Sequence, residues 1–485
     1  MSRQNGKFET QRVKSSLNHP VIDVDAHHLE FRPLLDEYLR EGMGRRLFEK
    51  WQRQQHVTTP PISDRRMRRL AQPGWWTAPP VTRPADRAAA ALPRLFVRRL
   101  DEFGIDFVVL YTSAGLKTLL DPDDEMRRRF CHSINEFYAD CFLQYGQRLT
   151  PAAIVPMYTP GEAIEELQHC HNLGLKVVQL PHGIPRPIPH VHAHNPNLYP
   201  EIHWLDTYGV DSAYDYDVFW RQLSLLGFAA TFHGHSSHAA AGKSSRSVSN
   251  YVFNHMGAHA TLMTDLCKSL VLGGITRRFS NLQFAFLEAG AAWAELLVHD
   301  MMEHWRKRGR DRILRHDPRR LDLAAMRALF GEWADEHVDT SMLNDPQCFY
   351  ANRRENFDGD TAEPDCHDDF NALEIRELGD IASLFANVYC GCGPGDPSLG
   401  AIYRAGDAMP LHPLFSSDFG HWDTAEPEML LPDGYQMVAD GAIRAYDFQR
   451  FVADDAIRLY GVCNRTFWSG TAVEDYAKTV LGDQD

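Results

Sequence analysis

Four short segments end an apolar run in residues able to hold a divalent cation. The first is Val21-Ile-Asp-Val-Asp25-Ala-His27-His28-Leu-Glu30. Alternate side chains of an extended strand lie on the same side. Asp25 and His27 can therefore aim at one point where the strand ends, and together they supply half of a four- or five-ligand site. Glu30, just beyond, can reach the same ion or a neighbouring one. The second segment is Ala229-Ala-Thr-Phe-His233-Gly-His235-Ser-Ser-His238, with His233 closing the strand. The third is Leu414-Phe-Ser-Ser-Asp418-Phe-Gly-His421-Trp-Asp423. A carboxylate at Asp418 can bind a metal and also take a proton from the metal's water, whose pKa the cation pulls toward neutrality. The fourth, Phe284-Ala-Phe-Leu-Glu288-Ala-Gly290, closes on an acid that is costly to bury unless paired, hydrated or metal-bound.

Each segment has a plainer explanation. Asp25 suits a capped polar turn, His233 a satisfied core histidine in a chain with 24 of them, and Glu288 an anchor for an arginine or a backbone amide. Asp418-Phe-Gly spells the metal-binding triplet of kinases, but no glycine-rich loop or His-Arg-Asp loop accompanies it. His255 and His259 stand one helical turn apart without the glutamate of a zincin. Packing or capping is assigned to His259, and His255 is placed toward the mouth of the fold. What points to one site is the joint occurrence of these residues, each at the C-terminal end of a separate strand.

The strands that must position them are short, β-branched or aromatic runs. They are expected at Val21–Asp25, Phe107–Tyr111, Ala152–Pro156, Lys176–Leu180, Ala229–His233, Phe284–Leu287, Asn387–Tyr389 and Leu414–Ser417. Helical patterns fall between them at Asp124–Tyr145, Gly161–Leu173, Glu295–Arg306 and Tyr446–Tyr460, with Gly174 as a C-terminal stop. Eight strands alternating with helices predict a (β/α)8 TIM-type barrel, with an open doubly wound sheet as the alternative. The expected layout is a polar tail over 1–18, one barrel domain over 19–478 and a tail over 479–485. Insertions at about 60–92 and 336–377 are expected as lids, binding loops or surface excursions. Trp75 and Trp76, in the first insertion, are expected to help close a substrate pocket.

The composition bounds the partners. With 44% hydrophobic and 24% charged residues over 485 positions, the chain is an ordinary globular protein. A formal net charge of −15 argues against nucleic acid, whose phosphates need a basic face. No apolar run is long enough to span a bilayer, and the first eighteen residues lack the apolar core of a secretory signal. Nine scattered cysteines fit reduced thiols and a cytoplasmic location better than a disulfide framework. Cys390 and Cys392 are read as structural. The expected partners are a small-molecule substrate and, by default, a second copy in a homodimer.

Taken together, these segments resemble the amidohydrolase-related family (amidohydrolase family 2), the branch that includes aminocarboxymuconate-semialdehyde decarboxylase. The likeness rests on Asp-x-Asp-x-His-x-x-Glu at Asp23–Glu30, Leu100–Tyr111, Arg148–Pro156, Gly174–Leu180, Phe286–Gly290 and Ser417–Asp423. It implies a barrel with a divalent metal, zinc foremost. His27 matches the second histidine of the family's first-strand pair, His233 the fifth-strand ligand and Asp418 the eighth-strand aspartate. Asp25 stands where many members have a histidine, which makes the site more oxygen-rich and favours iron or manganese. Glu288 stands where the decarboxylases have a catalytic histidine. The reading that follows is metal-assisted chemistry on a small organic acid or amide, by hydrolysis or non-oxidative decarboxylation, with hydrolysis preferred. Asp418 acts as base, and Glu288 or His235 carries the proton. Asp25, His27, Glu30, His233, His255, Glu288 and Asp418 are the ligand candidates, and His421 joins Trp75 and Trp76 as a substrate contact. Because seven ligands exceed one ion's need, a dinuclear iron oxygenase is the alternative. A non-catalytic partner subunit ranks behind both.

Overall fold

A computed structural model of the chain describes residues 3–57, 82–199, 202–234, 250–317, 320–349 and 368–482. Runs such as Phe107-Val-Val-Leu-Tyr-Thr112 are buried at every position. Only a strand covered on both faces accommodates that pattern, and it is typical of parallel sheets under helices. Eight strands form, buried throughout except at His412: β1 (Ile22–His28), β2 (Phe107–Thr112), β3 (Leu149–Ile154), β4 (Val177–Pro181), β5 (Ala230–His233), β6 (Phe284–Phe286), β7 (Val388–Cys392) and β8 (His412–Phe415). They pair in parallel in that order.

The chain just after β8 returns to β1. His27 N donates to Phe419 O at 2.6 Å and Asp418 N to Asp25 O at 2.8 Å, and Ala26 bridges Phe419. The sheet thus closes into the (β/α)8 barrel, and the open-sheet alternative falls. Inside, Val24, Val109, Tyr111, Leu287 and Leu414 form one apolar cluster with Tyr460 and Trp468 of the C-terminal segment. The closure depends on Gly420, whose φ is +103° and whose missing Cβ would lie 2.2 Å from the His27 carbonyl oxygen. Gly420→Ala should therefore push His27 off its position and destabilise the fold by about 3 kcal/mol or more, as read by urea denaturation.

The helices begin where the capping chemistry predicts. Helix α1 (Asp124–Phe142) is capped by Asp123, which accepts from Met126 N. Helix α2 (Pro160–Asn172) starts with proline behind a Thr159 cap, and Gly174 follows at φ +85°. Helix α3 (Ala258–Leu272) follows Gly257 at φ +69°.

The structure departs from the sequence expectations in four places. The N-terminal segment is a helix, Arg3–Ser16, that buries Thr10 and Val13 and pairs Lys7 with Glu102. Its apolar positions are too few to show periodicity, and docking supplies the rest. Residues 479–481 continue a helix, Glu474–Leu481, rather than a tail. The stretch Tyr446–Tyr460 is split by a π-turn at Arg450–Asp454. An antiparallel hairpin, Ile184–Pro187 with His203–Asp206, was not anticipated.

The backbone separates into two units, one of residues 1–297 with 382–485 and the other Val298–Ile381. In the second, helix Leu323–Trp333 is followed by short 3-10 turns. Of the expected insertions, residues 58–81 and 350–367 lie outside the described residues, Trp75 and Trp76 among them. Among the described residues no helix is long and apolar enough to cross a membrane. The eight described cysteines are free, and Cys390 and Cys392 are buried in β7.

Candidate metal centre

Three donors meet at the C-terminal ends of β1 and β5. His27 Nε2 lies 3.0 Å from His233 Nε2 and 3.5 Å from Asp25 Oδ1. His233 Nε2 is 3.6 Å from that same carboxylate oxygen. Donors about 2.1 Å from a common tetrahedral ion stand roughly 3.4 Å apart, so these separations are those of one coordination shell. The orientations are fixed from outside. His233 Nδ1 faces the Gly234 carbonyl at 2.9 Å, and an acceptor there makes Nδ1 the protonated nitrogen and turns the Nε2 lone pair inward. Ser416 Oγ donates to Asp25 Oδ2 at 2.9 Å, while Asp25 Oδ1 is buried without a hydrogen-bond donor among the described residues. Beneath them, Asp23 accepts from Ser417 N at 3.0 Å and Ser417 Oγ at 2.5 Å, tying β1 to the turn that carries Asp418. Burial pushes the Asp23 carboxyl up to about 7.

Asp418 and Glu288 complete the cluster from β8 and β6. Asp418 Oδ1 is 3.4 Å from His27 Nε2 and 2.7 Å from His421 Nδ1. Both Asp418 oxygens are buried without a well-aligned donor among the described residues. Glu288 Oε2 lies 3.2 Å from His233 Nε2 and 3.0 Å from His259 Nδ1. Both residues hold left-handed backbone, with φ +51° at Asp418 and +56° at Glu288. Strain of this kind persists only where the surroundings over-determine it, and it gathers at functional sites.

No family profile and no curated protein matches the sequence. Among solved structures, an amidohydrolase from Mycobacterium avium subsp. paratuberculosis K-10 aligns over 92% of this chain and 100% of its own, with a TM-score of 0.53 and 16% identity. The fold is that of the amidohydrolases. More weakly similar are a dihydroxybenzoic acid decarboxylase from Polaromonas sp. JS666, solved with manganese and 2-nitroresorcinol (TM-score 0.48, 14% identity, 93% and 99% of the two chains), and a 2,6-dihydroxybenzoate decarboxylase from Rhizobium (0.46, 15%, 92% and 99%).

In this barrel the electrostatics suit a cation. Burial works to raise the Asp25 carboxyl, yet the adjacent His27 and His233 rings hold it below its ordinary value. Burial likewise opposes the Glu288 charge, but His259 holds that carboxyl well below its usual range. Asp418 goes the other way, driven well above its usual value by burial and by the charges of Glu288 and Asp25. Burial and then His421 depress His27 to about 3, which keeps its ring neutral and its lone pair available. Crowded carboxylates, a neutral His27 ring and unpartnered buried oxygens are a donor set that a divalent ion fits.

The remaining candidates divide. His421 stacks on His27, ring centres 3.8 Å apart, with Nε2 at 3.2 Å from Ser113 Oγ. With His27 and Asp418 it forms a further group whose ligand atoms all lie within 4.8 Å of one another. Glu30 is not brought to the cluster: its carboxylate accepts from Ser113 N at 3.1 Å, Tyr138 OH at 2.8 Å and Ala114 N, and also from Thr112 Oγ1. The loop between β1 and the helix that starts at Arg32 carries it toward β2. His255 lines the cavity and its ring sits 5.3 Å from Trp422, but it belongs to none of the ligand clusters among the described residues. His259 corrects the packing assignment, since it pairs with Glu288. Asp423 was overlooked, although it ends the quoted Asp418–Asp423 segment: with Glu288 and Asp418 it forms a second carboxylate cluster. His235 lies outside the described residues. A cavity of about 690 Å³ opens over the centre, lined by Asp25, His255, His259, Glu288, Asp418 and Asp423.

The strain at Glu288 is measurable. Glu288→Gly should be more stable than Glu288→Ala by about 1–2 kcal/mol, read by chemical denaturation in the presence of a chelator.

Proposed function

We propose that the chain is a metal-dependent enzyme that adds water across a polarised carbonyl of a small organic substrate. The observation that carries this is the convergence of Asp25, His27 and His233 within 3.0–3.6 Å of one another, with the Asp418 carboxylate beside them. A divalent ion held there supplies Lewis acidity and lowers the pKa of a water it binds. The residues do the rest. Asp418 takes the proton of the attacking water and hands it on. His259 orients Glu288, and this pair passes the proton toward the leaving group. The cavity over the cluster holds the substrate, and non-oxidative decarboxylation is the other reaction the same groups would serve.

A second reading, a dinuclear iron oxygenase, is favoured by one observation. Glu288, Asp418 and Asp423 form a carboxylate cluster adjoining the first, and Asp418 faces both. Elemental analysis of the purified protein beside its His233→Ala variant separates the readings. Loss of one ion per chain supports the hydrolytic site. Loss of two irons together with O₂ consumption supports the oxygenase. No metal difference between the two proteins overturns both.

A further inference from the structure

Away from the barrel mouth, three donor side chains meet between α1 and α2. His132 on α1 and Glu166 and His169 on α2 each bring one ligand atom to within 4.8 Å of the others. Glu166 and His169 share a helix face because residues three apart are neighbours. A Glu-x-x-His pair with a further ligand from the adjoining helix is how helical proteins assemble metal sites.

The carboxylate is held in place from behind. Asn135 Nδ2 donates to one Glu166 oxygen at 2.7 Å. That amide is itself locked to β3, donating to Ile154 O and accepting from Ile154 N, both at 2.9 Å. The other Glu166 oxygen lies 3.4 Å from His132 Nδ1. His169 Nε2 is buried and has no hydrogen-bond partner among the described residues. A carboxylate oriented by a rigid outer partner beside an unsatisfied ring nitrogen is the arrangement that a metal ligand needs. Two cations line the same cleft, Arg128, which is engaged by Glu165 and Asp124, and Arg129. A cleft of about 470 Å³ lies alongside, lined by Glu162, Glu166, His132 and His169 among others.

We propose that His132, Glu166 and His169 form a metal site for a zinc-class divalent ion on the outside of the barrel, where the ion ties α1 to α2. Two imidazoles and a carboxylate are a donor set that zinc accepts, and the fourth position, on the cleft side, goes to water. The His132 and His169 rings stack with centres 3.6 Å apart and planes 20° apart. Closing on the ion therefore turns the half-exposed His132 ring edge-on. This site shares no residue with the barrel-mouth cluster and does not rest on the enzymatic reading.

The test is zinc stoichiometry and affinity, with zinc alone as the probe. Wild-type protein and the His132→Gln/His169→Gln double variant are stripped with a chelator, equilibrated with zinc and gel-filtered. The barrel-mouth cluster is common to both and cancels. The wild type should retain one more zinc per chain than the double variant. Glu166→Gln, which keeps an oxygen for Asn135 but loses the charge, should bind that zinc more weakly by on the order of 100-fold. Circular dichroism checks that each variant is folded. Equal zinc content in wild type and a folded double variant overturns the site, as does unchanged zinc affinity in Glu166→Gln.

Discussion

His233→Ala should leave the purified protein without its barrel-mouth ion and, by consequence, without metal-dependent turnover. The ring does more than donate one nitrogen. Its Nδ1 contact with the Gly234 carbonyl sets the tautomer, and its Nε2 lies at hydrogen-bonding distance from His27 and within 3.6 Å of both Asp25 and Glu288. Removing it deletes a ligand and leaves two carboxylates crowded in a buried site. Loss of an outer-shell partner weakens a metal about 10–100-fold, so loss of this inner donor should exceed that. The measurement is ion content after gel filtration, with circular dichroism as the fold control. Folding should survive, because β5 keeps its backbone pairing with β4 and β6. Full ion retention in this variant would remove the basis of the assignment.

Asp418→Asn should keep the backbone and lose the proton acceptor. Asparagine tolerates left-handed φ about as well as aspartate does, so the +51° conformation and the Asp418 N to Asp25 O bond should persist. What disappears is the carboxylate that burial and its acidic neighbours drive well above the usual range. A lost general base costs about 10²–10⁴-fold in turnover, and the observable is kcat on whichever substrate is identified. Ion affinity in the wild type should rise with pH, because the ion must displace the proton that Asp418 holds in its absence. In Asp418→Asn that dependence should flatten. A variant whose turnover and pH dependence match the wild type would show that Asp418 is a bystander.

The barrel was legible from the sequence because each strand is a short apolar run covered on both faces, and all eight fall within a few residues of their expected positions. Asp25, His27, His233, Glu288 and Asp418 were legible for a related reason: a polar residue ending such a run is conspicuous. Residues that reach the centre from helices and turns were not. His259 gives the same one-turn spacing whether it packs or pairs, and only the approach of α3 to Glu288 decides it. Glu30 misled in the opposite direction. It sits close in sequence to two proposed ligands, but the bend after β1 carries it to the backbone amides that follow β2. Asp423 carries no spacing signal of its own, because its position depends on the turn at Gly420.

The closing hydrogen bonds of the barrel run through the backbones of the proposed ligands, His27 N to Phe419 O and Asp418 N to Asp25 O. Cofactor retention and architectural integrity are thereby fastened at the same zip. An event that parts the first strand from the eighth also scatters the donors, and an ion that grips the donors keeps the zip shut. Amide exchange at His27 and Asp418 should consequently slow on metal loading far more than exchange at the opposite wall, so the molecule's local breathing reports whether it is charged for work.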